Sequence, residues 1–342
     1  MSYYNSKETE CQEADALLNH ELETKFAPKR LDAELLSSSY SRLGYLNKAK
    51  RVNECGTLLE FRRPLTDWEP PTAAAAGVPS GDGWKLHTAN FCRDRLCPMC
   101  SWRRSYKIFG QVSQIMEHIG SQYAFLFLTL TIPNCCPDEL SFTLDNLQKG
   151  WHRLINSKRF KGSVRGYFKA LEVTRNKLNG TYHPHYHCIL AVDLDYFKKL
   201  KYISRDEWLS LWQVAMHNTT ITQVDVRRCK AKETIIGQEA VKSLKSAVAE
   251  VAKYSVKSSD YLTNDNALTD DIVLTLGSAL SSRRLCSFGG VFEQVRRKLA
   301  LDDIEDGDLI HLDGSELRPD VAYMVKRFGW SCGAYKLLSF SI

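Results

Sequence analysis

The run His183-Pro184-His185-Tyr186-His187-Cys188-Ile189-Leu190 constrains this chain more than any other stretch. Imidazoles at alternate positions, leading into an apolar segment, have the period of a β-strand. They project from one face, where two of them can grip a single divalent ion. Residues 167–174 read as a partner strand, joined to 182–192 across the turn-rich Asn176-Lys177-Leu178-Asn179-Gly180, as a hairpin requires. If 175 faces 182, then 172 faces 185, and Glu172 stands opposite His185 on the same face. Glu172, His185 and His187 then form a two-imidazole, one-carboxylate set, suited to Mg²⁺ or Mn²⁺ held with positions open to substrate oxygens. Histidines in this pattern also suit an exposed sheet face that holds no metal. His183, beside Pro184 at the strand's start, stays outside the set.

The rest of the chain alternates between two periods. Helices are expected over 102–119, 139–155, 204–216 and 238–256, and further strands over 123–132 and 222–228. Hairpin strands mixed with helices predict an α+β fold, an antiparallel sheet flanked by helices. Residues 1–48 are polar and poor in aromatic residues, which predicts a weakly ordered arm with some helix, and residues 70–83 have the Pro, Ala and Gly content of a linker or long loop. We divide the chain accordingly into the arm 1–48, a cysteine-rich basic module 49–110, a catalytic domain 111–262 and a C-terminal accessory region 263–342.

Within the expected helix 238–256, Val241, Leu244, Val248 and Val251, with Ala247 and Ala252, mark one apolar face, while Glu250, Tyr254 and Lys257 fall close together on the other. A phenol attacks poorly at neutral pH unless a cation stabilises the developing charge, and Lys257 or a metal can supply one. An ordinary solvated helix face is the alternative.

Eleven cysteines, three of them within Cys92-x4-Cys97-x2-Cys100, favour metal over a disulfide framework, and no signal-peptide pattern opens the chain, so a reducing cytoplasm is expected. Three thiolates close in sequence need a fourth ligand for tetrahedral Zn²⁺; Cys55 is the first candidate and His87 the second. Buried thiols without metal are the alternative. Around the cluster, Arg93, Arg95, Arg103, Arg104 and Lys107 interleave with Phe91, Trp102 and Tyr106, as a phosphate-contacting surface or a solvated basic face would. Forty-six Lys and Arg against forty Asp and Glu give a net charge of +6, which assists contact with a polyanion without requiring it. The longest apolar stretch, 124–130, is too short to span a bilayer, and no membrane association is expected.

Taken together and in order, Phe127-Leu128-Thr129-Leu130-Thr131-Ile132-Pro133-Asn134, His185-Tyr186-His187 and the segment from Glu250 through Tyr254 to Lys257 resemble the three motifs of plasmid rolling-circle replication initiators. The resemblance extends to the cysteine segment 91–104 and to Ser287-Phe288-Gly289-Gly290, covering about residues 50 to 342. It implies an HUH endonuclease with an RRM- or ferredoxin-like palm and an N-terminal zinc-binding module, which nicks one strand at a plasmid's double-strand origin. Tyr254 would be the nucleophile, forming a 5′-phosphotyrosine and freeing a 3′-hydroxyl for a host polymerase, with a host helicase opening the duplex. His185 and His187 would hold the metal, and Lys257 would steady the phosphate. Glu250, one helical turn before the tyrosine as in initiators of the single-tyrosine type, would activate a water for termination by hydrolysis. The resemblance also allows a homodimer. A conjugative relaxase or single-strand transposase would share the chemistry, and a zinc-containing DNA-binding repressor would share the cysteines.

Overall fold

A computed structural model of the chain describes residues 2–65, 83–198, 201–229, 247–252, 255–312 and 322–341. The strands among these residues are β1 (Leu58–Pro64), β2 (Lys85–Ala89), β3 (Tyr123–Thr131), β4 (Val164–Arg175), β5 (Tyr182–Asp193), β6 (Val224–Cys229), β7 (Cys286–Gly290), β8 (Tyr323–Ser331) and β9 (Ala334–Ser341). They form two antiparallel sheets with helices packed against them, the α+β arrangement expected. The chain divides into two compact units, one of Met1–Gly110, Leu262–Val273 and Asp306–Ile342, the other of Gln111–Tyr261 and Leu274–Glu305. The stretch 263–342 therefore contributes to both.

In the first unit the sheet runs in the order β2-β1-β8-β9. Residues 2–42, for which the polar composition suggested weak order, are helical from end to end. The reason is a sparse apolar stripe: Ala14, Leu18, Leu22, Phe26, Ala33, Leu36 and Tyr40 recur at helical spacing and are all buried. Pro28 cannot donate a backbone N–H, and the turn before it, Leu22–Phe26, widens into a π-helix. Phe26 lies at the centre of the core, edge-on to Trp102 at 4.8 Å and to Phe61 at 5.8 Å.

The second unit is built on the order β6-β3-β5-β4-β7. The hairpin β4–β5 pairs Glu172 with His185 and Arg175 with Tyr182, the expected register. Asn176 and Asn179 close it, their side chains accepting the Leu178 and Thr181 N–H groups, while Gly180 takes φ +74°. β5 is central and covered on both faces: Tyr186, Cys188 and Leu190 are as buried as His187, Ile189 and Ala191. Helix Leu140–Asn156 buries Leu144, Leu147, Trp151 and Leu154, and the Trp151 ring meets Tyr186 and Tyr167. An exposed sheet face, the alternative setting for the histidines, is thereby ruled out.

The fourth helix expected from periodicity is only partly matched. Residues 247–251 are helical, with Val248, Val251 and Ala252 buried as its apolar stripe requires, but 255–257 are not. There the chain turns to the sheet, and the Ser255 carbonyl accepts the Val173 N–H at 2.8 Å. Residues 230–246, Lys253 and Tyr254 lie outside the described residues, as does the linker 66–82.

Candidate metal centres and their surroundings

Glu172, His185 and His187 converge on one point. His187 Nε2 lies 2.9 Å and His185 Nε2 3.2 Å from Glu172 Oε2, and the two nitrogens are 3.1 Å apart. All three residues are buried, at 6 to 8% exposure. Each ring is held by its other nitrogen. His185 Nδ1–H donates to the His183 carbonyl at 3.1 Å, and His187 Nδ1 is bonded to Thr129 Oγ1 at 3.2 Å. Both Nε2 atoms are thereby turned toward the carboxylate, and once they carry no proton a cation suits such a donor set. Burial works to raise the Glu172 carboxyl, but the hydrogen bonds from His185 and His187 outweigh it and hold the group well below the usual carboxylate range.

Lys257 Nζ stands 3.8 Å from Glu172 Oε1, on the side away from the histidines' shared oxygen. Asp260 is raised by its burial and by the Glu172 charge, against opposing pulls from Lys257 and Lys177. Glu250 is half-buried in the helical segment 247–251, and Tyr254 is outside the described residues.

Sequence reasoning missed the supports. Thr129 faces His187 directly across β3–β5, a pairing legible only once the β3 register is known. His183, left without a role, supplies the backbone acceptor for His185 and stacks on its ring at 5.3 Å. Burial and the neighbouring His185 lower its own pKa.

The second group is Cys55, Cys92, Cys97 and Cys100, whose sulfur atoms lie within 4.8 Å of one another. Cys55 Sγ is 3.6 Å from Cys100 Sγ and 3.5 Å from Cys97 Sγ, and Cys92 Sγ is 3.7 Å from Cys100 Sγ. Tetrahedral zinc with bonds of about 2.3 Å sets its sulfurs about 3.7 Å apart, so the spacing fits. Three backbone N–H groups point at sulfur, Arg93 to Cys100 at 3.2 Å, Cys92 to Cys55 at 3.4 Å and Asp94 to Cys92 at 3.4 Å, an environment that favours thiolates. Hydrogen bonds from Cys55, Cys92 and Cys97 hold Cys100 well below the usual thiol range, and the Arg104 charge adds to this. Cys55 is thus the fourth member, and His87 sits elsewhere.

Four of the basic residues around this cluster bond to main-chain carbonyls. Arg93 Nη1 donates to the Asp306 carbonyl, Arg103 to the Leu309 and Ile310 carbonyls, Lys107 to the Asp308 carbonyl and Arg104 to the Arg93 and Asp94 carbonyls. Trp102 is buried against Phe26 and is no stacking platform.

Comparison with known proteins places these features in context. The family model described as replication protein matches residues 83–335, which include both cysteine-rich and histidine-rich groups except Cys55. A "Protein rep" of Bacillus amyloliquefaciens is 36% identical over 83% of this chain and 85% of its own length. Another from Streptococcus pneumoniae serotype 2 is 31% identical over 86% and 90%, and one from Staphylococcus aureus is 40% identical over 64% and 86%. No solved structure matches. Among the described residues, no helix is long and apolar enough to cross a membrane.

Proposed function

This chain belongs to the replication-protein family, and on that premise we propose that it initiates plasmid rolling-circle replication as an HUH endonuclease, cutting one DNA strand by tyrosine transesterification. The observation that carries the reading is the buried group of Glu172, His185 and His187, with Lys257 beside it. Family membership favours replication over conjugative transfer, transposition or repression. The catalytic domain is assigned to 111–262 and the zinc module to 49–110, leaving 1–48 as an N-terminal arm and 263–342 as an accessory region.

His185, His187 and Glu172 would hold Mg²⁺ or Mn²⁺, which would polarise the scissile phosphate as a Lewis acid. The Tyr254 oxygen attacks phosphorus as the phenol gives up its proton to solvent, the bond to the 3′-oxygen breaks, and that oxygen takes up a proton, so the products are a 5′-phosphotyrosine and a 3′-hydroxyl. Lys257, by its charge, steadies the phosphate as negative charge builds on it. Glu250 takes a proton from water in the closing step, so that hydrolysis frees the DNA from Tyr254. Plasmid DNA single-stranded at the nick, a host helicase and a host polymerase are the partners this requires, in a bacterial cytoplasm, with the initiator as monomer or homodimer.

The test is cleavage of tiled single strands from the replicon, with mass spectrometry of the covalent adduct to identify the attacking residue. In the same assay Glu250→Ala is expected to nick at the wild-type rate and to accumulate adduct, with hydrolytic release slowed about 100-fold or more. Equal loss of both steps would remove Glu250 from the base role.

Zinc is the ion proposed for the four cysteines. Elemental analysis of the purified chain is expected to find one equivalent, and Cys97→Ser to lose it. The loss should destabilise the cysteine-bearing unit by about 4 kcal/mol or more, a scale reached when a structural metal goes. Full folding of Cys97→Ser with no bound zinc in either protein would discard the assignment.

A further inference from the structure

His87 was the second candidate for the zinc cluster, yet it lies against a different partner. On β2 the pairing with β1 slips between Glu60 and Phe61, which face Thr88 and Leu86, so His87 is the extra residue of a β-bulge. Bulges re-aim side chains, and this one turns His87 toward His311. His87 Nδ1 lies 3.3 Å from His311 Nε2. The other ring nitrogen of His311 donates to Asp308 Oδ2 at 2.6 Å, which leaves Nε2 with its lone pair aimed at His87.

We propose that His87 and His311 chelate one divalent ion of the borderline transition-metal class, such as zinc, nickel or copper, with Asp308 orienting His311 from behind. The spacing is that of two imidazoles on a tetrahedral ion, about 3.3 Å for bonds of about 2.0 Å, and it matches the 3.1 Å between the Nε2 atoms of His185 and His187 in this same chain. A carboxylate behind a ligand histidine is the usual outer support of such centres. Asp308 is itself held, accepting the Ile310 N–H at 2.8 Å and the His311 N–H at 3.2 Å. The loop bearing it is fixed by the bonds from Arg93, Arg103 and Lys107 to its carbonyls.

Burial, the Arg62 charge and His311 lower the His87 pKa, against a pull from Glu60. Arg62 is itself paired with Glu60 at 2.8 Å, which blunts its repulsion of a cation. Two imidazoles with no carboxylate on the ion select this class over Mg²⁺ or Ca²⁺. An ion here would clip the loop 306–312 to β2, independently of any nicking chemistry.

The test is calorimetric titration of nickel(II) into the zinc-replete full-length chain carrying His185→Ala and His187→Ala, which removes the other imidazole pair. One equivalent is expected to bind. Adding His87→Gln or His311→Gln should weaken it about 100-fold, and Asp308→Asn about tenfold, the scale of losing the carboxylate behind a ligand. Nickel affinity unchanged in either histidine variant would overturn the proposal. Should those variants misfold, diethyl pyrocarbonate labelling of the wild-type chain decides instead: nickel is expected to protect His87 and His311 together, and protection of neither refutes the site.

Discussion

Tyr254→Phe is expected to abolish covalent attachment to a cleaved single strand, lowering the cleavage rate roughly 10⁴-fold or more, the scale lost when a covalent nucleophile is deleted. The substitution removes one oxygen and keeps the ring, so a purely packing role for the residue would leave activity nearly intact. The chain is buried before this residue and bonded to the sheet after it. Val251 and Ala252 are buried, and the carbonyl of Ser255 accepts the N–H of Val173, the residue after Glu172 in β4. His187→Gln should also slow cleavage strongly, but for a separable reason. It removes an ion ligand, so added Mn²⁺ is expected to restore part of its activity and none of that of Tyr254→Phe. Cleavage by Tyr254→Phe at the wild-type rate, with an adduct at another residue, would reassign the nucleophile.

The parts of this site that were legible in the sequence are those governed by local periodicity. Alternation set the face of His185 and His187, and pairing 175 with 182 across the turn-rich 176–180 brings Glu172 opposite His185, as found. The four cysteines were legible as a set because tetrahedral zinc demands a fourth ligand, and Cys55 supplied it from 37 residues upstream of Cys92. What was not legible depends on long-range pairing. Thr129 reaches His187 only through the β3–β5 register, and Arg93, Arg103 and Lys107 bond to carbonyls of residues 306–310, some two hundred positions later. How far helix extends through the early residues was not legible because Arg30, Ser37 and Ser39 interrupt the apolar stripe, yet all three are buried with it. Arg30 donates to the Asn53 carbonyl and pairs with Glu34, Ser37 donates to the Ala49 carbonyl and Ser39 to Asp270. Polar residues with partners inside a core look, in sequence, like residues outside one.

The same blindness hid Lys169, and it leads to the second large effect: Lys169→Met is expected to stabilise the chain. Lys169 lies in β4 with its side chain on the face opposite Glu172 and is 2% exposed. Its ammonium donates to Gln148 Oε1 at 2.7 Å and sits 3.9 Å from the Tyr186 ring centre, with Trp151 at 5.5 Å. Burial drives its pKa down to about 8. An unfolded lysine titrates near 10.4, so the unfolded chain holds this proton more tightly. Below pH 8 the folded state carries the whole penalty, about 3 kcal/mol; between about 8 and 10.4 stability rises with pH as the amine empties, and above that the penalty is gone. Methionine matches the chain length without the charge, and Gln148 Oε1 keeps the Tyr186 hydroxyl as donor at 2.8 Å, so no acceptor is orphaned. At pH 7 the variant should melt several degrees above wild type, and the gap should close between pH 8 and 10.4, other groups that titrate there cancelling in the difference. Cleavage and metal affinity should not change, because the site face is untouched. A variant that melts lower than wild type at pH 7 would mean that the ammonium's contacts with Tyr186 and Trp151 outweigh its desolvation, and that this buried charge holds the β4–β5 hairpin together.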